Sequence, residues 1–432
     1  MSMLPLTKVE QFTRKHLRYN VTVNLLDGGF FGFALGFASF STIIPLFVTN
    51  LTDSAILIGL APAIHTIGWQ LPQLFNAGQV SRARKIKPIV LRNTLHERFP
   101  FLMLAVIAFL IPAIGKEWAL LITFIALIWQ GLGGGFTANP WTSFISKIIP
   151  AESRGTFFGM QGGLVNLMVS ISAVGAGYLL ETIPYPVNYG YSFLIACAAL
   201  AISYIAIARS REPSDNEKII PAEQTSIWND AKAVLSKDAN FNWFLLVRAL
   251  SQFLTMGFGF YILLGLRRFG LDTITAGFIT AAVTLTQTFA NAGMGWLGDR
   301  IGHRKILIFG AIAGVVSIAI AWYAPSINWL YPAFIISGFA NVAVWTISIA
   351  FTVDFGTETE RPTYIGLSNT LITPATILAP IIGGWLVDKF DFEPMLAISA
   401  VIGIVIALIL IFIINDPRKN PKRFEESTKE TK

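Results

Sequence analysis

The chain has 432 residues and a formal net charge of +7; 54% of its residues are hydrophobic and only 13% are charged. Soluble domains carry about 25% charged residues, so the polar surfaces of the two or three soluble domains that this length would otherwise make are excluded. The single cysteine, Cys197, excludes an internal disulfide and any multi-cysteine metal site, and inside an apolar stretch it reads as a packing residue.

A bilayer core of about 30 Å needs roughly 20 apolar residues of helix. Runs of that length, read between charges and turn residues, predict twelve spans: 21–48, 54–79, 99–115, 118–139, 156–180, 188–209, 243–266, 272–297, 305–323, 328–353, 363–387 and 392–414. The third is short and reaches into the loop before it. Residues 1–20 are polar and basic, and the apolar stretch that follows is too long for a secretory signal. Leu4, Leu6, Val9, Phe12 and Leu17 mark a surface element ahead of span one.

The longest hydrophilic stretch, 210–242, holds Glu212, Asp215, Glu217 and Lys218. It ends in an amphipathic segment from Ile227 to Asn240, on which Trp228, Ala231, Val234 and Leu235 share a face. Such a helix lies at the membrane surface. The expected division is therefore a bundle over 1–209, a cytoplasmic central loop over 210–242, a second bundle over 243–415 and a cytoplasmic tail over 416–432. With both termini inside, 28 of the 32 Lys and Arg fall on inner segments, leaving Lys116, Arg267, Arg268 and Lys389 outside. Cytoplasmic loops carry the excess of Lys and Arg, so the positive charge orients a multi-pass protein of the plasma (inner) membrane. It is not a nucleic-acid footprint.

The halves echo one another. Arg154-Gly155-Thr156-Phe157-Phe158-Gly159 precedes span five and Arg361-Pro362-Thr363-Tyr364-Ile365-Gly366 precedes span eleven; at the same offset of 207, Gly177 and Leu179 match Gly384 and Leu386. Repeated six-helix halves place a binding site between them. Between spans eight and nine the chain reads Gly295-Trp296-Leu297-Gly298-Asp299-Arg300-Ile301-Gly302-His303-Arg304-Lys305, an acid, glycines and basic residues in a tight loop. This stretch resembles the signature loop of the major facilitator superfamily of secondary transporters. The resemblance implies an all-α integral membrane fold: two pseudo-symmetric six-helix bundles around a central cavity that opens to each side in turn, with spans one, four, seven and ten lining most of it. It also implies that Gly295, Asp299, Arg300, Gly302, Arg304 and Lys305 form a cytoplasmic gate, with Asp299 facing the start of span five at Arg154 and Gly155. The first half departs from the pattern, because Asn76 to Lys85 carries a glycine and basic residues but no acid. Span five also lacks the glycine–proline element of drug–proton antiporters, which Ala379-Pro380-Ile381-Ile382-Gly383-Gly384 in span eleven echoes in part.

Charges at membrane depth are costly. Asp27 is the one acid well inside a predicted span; it reads either as a proton site or as half of a structural pair, with Arg248 a possible partner. His65, in span two, reads as a second proton candidate or as an interhelical hydrogen bond. Arg248 snorkels or touches substrate, and Asp354 is a boundary charge. Neutral polar groups recur near mid-depth, among them Gln70, Asn291 and Thr373. The substrate-cavity candidates are Trp69, Gln130, Asn166, Gln252, Gln287, Asn341, Trp345 and Asn369. Gly131, Gly133, Gly134 and Gly135 suit close packing; no Gly-Lys-Ser/Thr follows them, so no ATP site is expected. No metalloprotease, nucleophile-elbow or clustered metal-ligand pattern is present, so neither an enzyme, a cofactor nor a metal is expected. The reading is a secondary active transporter of a small organic solute, acting as a monomer and driven by protons or another cation through Asp27. A multidrug efflux exporter is the alternative within transport, and a non-transporting receptor or structural protein of the same fold is the alternative outside it.

Overall fold

The structure, a computed structural model, describes residues 8–70, 72, 85–213, 234–355 and 361–417. Leu4 and Leu6, the first-half loop from Asn76 to Arg84, Trp228 and Ala231 of the central segment, and most of the tail lie outside the described residues.

Every regular element among the described residues is helical. In lipid no water satisfies backbone N–H and C=O groups, so each apolar run must close its hydrogen bonds within itself. Nine of the described helices are long and apolar enough to cross a membrane. Span one comprises Lys8–Phe37 and Ile43–Thr49, and span two Ala55–Gln70. Spans three and four run together as Lys87–Ile148, 62 residues interrupted at Gly115, whose φ of 80° only glycine adopts freely. Spans five and six are Ala151–Thr182 and Val187–Ala208.

Span seven is Ala239–Gly259 followed by Tyr261–Phe269, and spans eight and nine are Thr273–Ile301 and His303–Trp322. Span ten passes from Leu330–Val342 through a π-helical turn at Ala343–Ile347 into Ser348–Val353. Span eleven is Arg361–Thr370 with Thr373–Phe390, and span twelve Phe392–Phe412.

One boundary differs from expectation in a way that matters for the site. Span three begins at Lys87, twelve residues before the predicted start at 99. Pro88 starts the helix where a missing N–H costs nothing. Glu212 then takes up two donors at the helix start, the N–H groups of Ile86 (2.7 Å) and Lys87 (3.0 Å). His96, Glu97 and Arg98 are consequently helical rather than loop residues.

The chain forms two compact units. The first holds 1–53, 64–222 and 272–281; the second holds 54–63, 223–271 and 282–432. Small residues bring helices together in each. In the first, a Cβ on Gly68 would lie 2.5 Å from Gly131, and one on Gly133 would lie 2.5 Å from the backbone of His96 and Glu97. The glycines of span four are thus seats for spans two and three. In the second, a Cβ on Gly310 would collide with that of Ala343. Phe241, Phe244, Phe351 and Phe355 fill its core, with Phe244 stacked on Phe355 at 5.4 Å. Outward faces stay apolar, as at Val401, Ile404 and Leu408 of span twelve, which suits a lipid solvent.

Candidate functional site: buried charges in two helical units

The first unit encloses an ionic cluster. Asp27, 4% exposed in span one, accepts on Oδ1 from Arg98 Nη2 at 3.1 Å and from Ser203 Oγ at 2.6 Å. Arg98 Nη2 also donates to Ser203 Oγ at 2.8 Å, and the guanidinium lies over the Phe31 ring at 5.5 Å. On its other side, Nη1 stands 3.9 Å from Glu97 Oε2. Two carboxylates thus share one guanidinium, and the cluster carries a formal charge of −1. The pairing offsets part of the cost of enclosing charge. The partner of Asp27 is therefore Arg98, not Arg248, which belongs to the other unit.

Glu97 is a second enclosed acid that reading span three from residue 99 concealed. The signal available in the sequence was that no glycine or proline intervenes between Pro88 and Pro100; that Val90, Thr94, Arg98 and Phe101 are buried at helical spacing only the structure shows. Arg98 and Arg248, counted among the inner-segment cations, are both buried within helices.

In the same unit, His65 Nδ1 shares a 2.8 Å hydrogen bond with Gln130 Oε1, and the ring stacks on Phe40 at 4.0 Å. His65 and Gln130 act together as a bridge between spans two and four. Trp69 is 41% exposed. Asn166 is half-buried, and its carbonyl accepts from Ser170 Oγ at 2.8 Å. Span one and span five also line an apolar cavity of about 310 Å³, walled by Leu25, Phe30, Phe33, Leu164 and Met168.

The second unit encloses a cation differently. Arg248, 2% exposed in span seven, has one side-chain hydrogen bond among the described residues: Nη2 to Asn369 Oδ1 of span eleven at 3.5 Å. Its Nη1 has no hydrogen-bond partner, and no carboxylate pairs with it among the described residues. Around it, Gln252 Nε2 donates to the Arg248 carbonyl at 3.4 Å, and Thr376 Oγ1 donates to Gln252 Oε1 at 3.3 Å. These distances are at the weak end for hydrogen bonds. Thr373 Oγ1 donates to the Asn369 carbonyl at 3.4 Å. Two sequence candidates, Gln252 and Asn369, are therefore brought together with Arg248. Gln287 and Asn291 form a separate polar strip: Asn291 Nδ2 donates to the Gln287 carbonyl at 2.8 Å, and Thr346 Oγ1 to Asn291 Oδ1 at 2.7 Å. Asn341 and Trp345 are half-buried in span ten, Trp345 on its π-helical turn.

In the loop motif the Asp299 side chain is 76% exposed and lies 3.5 Å from His303 Nε2. His303 Nδ1 meets Asp354 Oδ2 at 2.8 Å, so Asp354 is more than a boundary charge. Arg300 stacks over Trp296 at 3.9 Å. Arg304 donates to the last carbonyls of span twelve, at Leu410 (2.7 Å) and Ile411 (2.5 Å). Gly302 has a φ of 97°, and a Cβ there would lie 2.6 Å from Asp416 Oδ2. Lys305 is exposed, and the position of a Cβ on Gly295 has no neighbour within 4 Å. Arg154 repeats the capping role in the first unit: Nε donates to the Ile149 carbonyl at 3.1 Å and Nη2 to that of Ser146. Terminal carbonyls of a helix have no partner within it, and cations suit its negative end.

Residues 93–272 and 264–432 each match the sequence model of the Major Facilitator Superfamily. The chain belongs to the major facilitator superfamily. As a member it is a multi-pass membrane transporter and not an enzyme. It is similar to the putative niacin/nicotinamide transporter NiaP of Bacillus subtilis (strain 168), 22% identical over 387 residues, 85% of this chain and 92% of that protein. It also resembles Multidrug resistance protein 1 of the same organism, 23% identical over 155 residues, 36% of this chain and 40% of the relative; the chain thus spans less than half of several curated relatives it matches. Among solved structures, a D-xylose-proton symporter superposes with a TM-score of 0.72 at 16% identity, covering 93% of this chain and 98% of that one. A point mutant of the nucleoside transporter NupG superposes at 0.70, also at 16% identity, covering 92% and 100%. These likenesses establish the two-domain facilitator fold.

For a facilitator, the charges that matter are those the lipid-length helices enclose. By that measure, Asp27, Arg98 and Glu97 in the first unit and Arg248 in the second stand apart from the neutral polar groups, most of which bond to a neighbouring turn or helix.

Proposed function

We propose that this facilitator is a proton-coupled secondary active transporter of a small organic solute, seated in the plasma (inner) membrane with both termini and the 210–242 segment cytoplasmic. The observation that carries the reading is the sharing of one guanidinium by Asp27 and Glu97. A cluster with one carboxylate in excess becomes neutral on taking up a single proton, and a neutral cluster is less costly to keep away from water. Loading and release of that proton would bias which side the transporter opens to, since a ligand shifts an equilibrium only by its differential affinity for the two states. In the same reading Asp299 holds the cytoplasmic gate, 1–209 and 243–415 are the two moving bundles, and His65 is a bridge rather than the coupling site. A facilitator with a solved proton symporter as a fold neighbour is compatible with this role.

Proteoliposomes with an imposed pH gradient test the coupling. Asp27→Asn and Glu97→Gln should abolish gradient-driven accumulation while solute exchange persists; full accumulation by the double variant would refute it. The orientation is tested by labelling Thr225→Cys in a Cys197→Ala background, where reaction with an impermeant reagent outside intact cells would overturn it.

The apolar cavity between spans one and five favours a second reading, export of lipophilic compounds, in line with the name of the multidrug relative. Cells overproducing the protein would then tolerate lipophilic drugs better, and Phe30→Ala would change the spectrum.

A further inference from the structure

We infer that Arg248, with Asn369 and Gln252 beside it, is the recognition site for the carboxylate of an organic monoanion, and that the solute this transporter carries belongs to that class. The inference rests on the transport reading above. It starts from a difference in satisfaction between two buried arginines. Arg98 has two carboxylates and a serine hydroxyl around it. Arg248 is as deeply enclosed, yet its one side-chain hydrogen bond among the described residues is a 3.5 Å approach to a neutral amide, and Nη1 has none. Enclosing a charge without a counter-charge is costly. A residue with only a structural task in span seven would be better served by an apolar side chain of the same length.

The chemistry of the partner follows from the donors. A guanidinium offers a planar fork of N–H groups that matches a carboxylate in two parallel bonds. The surrounding groups are neutral and loosely held: Gln252 through bonds of 3.4 and 3.3 Å, and Asn369 by the guanidinium at 3.5 Å. They can turn toward an incoming oxygen at little cost. No second Lys or Arg bonds to Gln252, Asn369 or Thr376 among the described residues, so the site balances one negative charge. A phosphate dianion would leave one charge uncompensated. Cationic and neutral solutes would leave Arg248 unpaired.

The two halves of the chain add an independent indication. At an offset of 221, Leu25, Gly36 and Phe37 of span one match Leu246, Gly257 and Phe258 of span seven, and Asp27 falls on Arg248. Equivalent positions in the repeat thus carry opposite charges, one with its counter-ion built into the protein and one without.

The test is equilibrium binding to the purified full-length protein, with no gradient, by thermal shift. Probes are aromatic and aliphatic monocarboxylates (benzoate, nicotinate, butyrate, lactate), their neutral amides, and inorganic phosphate. At least one monocarboxylate should raise the melting temperature where its amide does not. Arg248→Gln should weaken that binding about thirtyfold or more, as loss of one partner of a buried charge pair does, and Arg248→Lys should weaken it less. Without ligand, Arg248→Met should melt no lower than the parent, because it removes an unpaired charge. The inference is overturned if no carboxylate stabilises the parent, if only amides or phosphate do, or if Arg248→Gln binds as the parent does. It is also overturned if ligand-free Arg248→Met melts several degrees lower or fails to fold, since Arg248 would then be structural. Binding is read here without a gradient and coupling in the proteoliposomes with one, so a carboxylate shift without gradient-driven accumulation is a failure of proton coupling, and accumulation without a carboxylate shift is a failure of this site.

Discussion

In the first unit Arg98 is enclosed with Asp27, Glu97 and Ser203, whereas in the second Arg248 is enclosed with Asn369 and Gln252 and, among the described residues, no carboxylate. The same fold and comparable depth thus hold a cation in two ways. A buried pair is weak evidence for net stabilisation, but breaking one is costly, because the survivor is left charged and alone. A buried cation that is alone from the outset has already incurred that cost. The difference therefore separates a charge the unit needs for its integrity from one kept for another purpose.

The sharpest way to break this comparison is to remove each arginine. Arg98→Met leaves Asp27 and Glu97 enclosed without a cation and should lower stability at neutral pH by about 3–5 kcal/mol. Thermal unfolding in one detergent measures it, and adding Asp27→Asn should restore much of the loss. Equal melting of Arg98→Met and the parent would mean that the first cluster is no more structural than the second.

A smaller effect sharpens the comparison at the helix ends. Arg304 caps span twelve in the second unit, and Arg154 caps the end of the Lys87–Ile148 helix in the first. Arg304→Gln and Arg154→Gln should each cost about 1.5–3 kcal/mol, the worth of hydrogen bonds to a charged group. If Arg154→Gln melts like the parent yet alters cross-linking across the cytoplasmic gate, Arg154 acts in gating and not as a cap; Asp299→Asn should then give the same cross-linking change.

The smallest effect concerns Asp272 at the start of span eight, outside the membrane segments. Partial burial pushes its carboxyl up, but the Thr275 N–H at 2.8 Å and hydroxyl at 2.6 Å outweigh this and hold it below the ordinary carboxylate value. A lowered folded-state value means the contribution is present above the unfolded value, near 3.9, and is lost as the pH falls through the folded one. The amount is about 0.5–1 kcal/mol, that of an exposed helix cap. Between pH 6 and pH 3 the parent should lose slightly more stability than Asp272→Asn, whose amide caps without titrating, so the difference between the two melting profiles isolates this carboxyl.

Much of the fold was legible in the chain itself. Span six, read as 188–209, is Val187–Ala208, and span twelve, read as 392–414, is Phe392–Phe412. The legibility has a physical cause: a lipid-length apolar run has one way to satisfy its backbone, and only a helix does it without partners. The repeat at an offset of 207 was legible for the same reason, since it is a property of order along the chain. Glu97 escaped because a charge in a helix reads as the end of a span unless its counter-charge is known. The neutral candidates Gln252 and Asn369 were named, but that they flank Arg248 was not.

What the sequence determined by itself was the order of the lipid-length apolar runs, the extents of some of them such as spans six and twelve, and their kinship across the two halves. What only the tertiary structure decided was which side chains meet. Asp27 finds Arg98 and Ser203, 71 and 176 residues away; Arg304 finds carbonyls 106 and 107 residues away; Arg248 finds no counter-charge among the described residues. Helical periodicity specifies which residues share a face, but not which face of another helix that face will meet. That is set by the small-residue seats at Gly68, Gly133 and Gly310, where close packing chooses one register among many that hydropathy alone would allow.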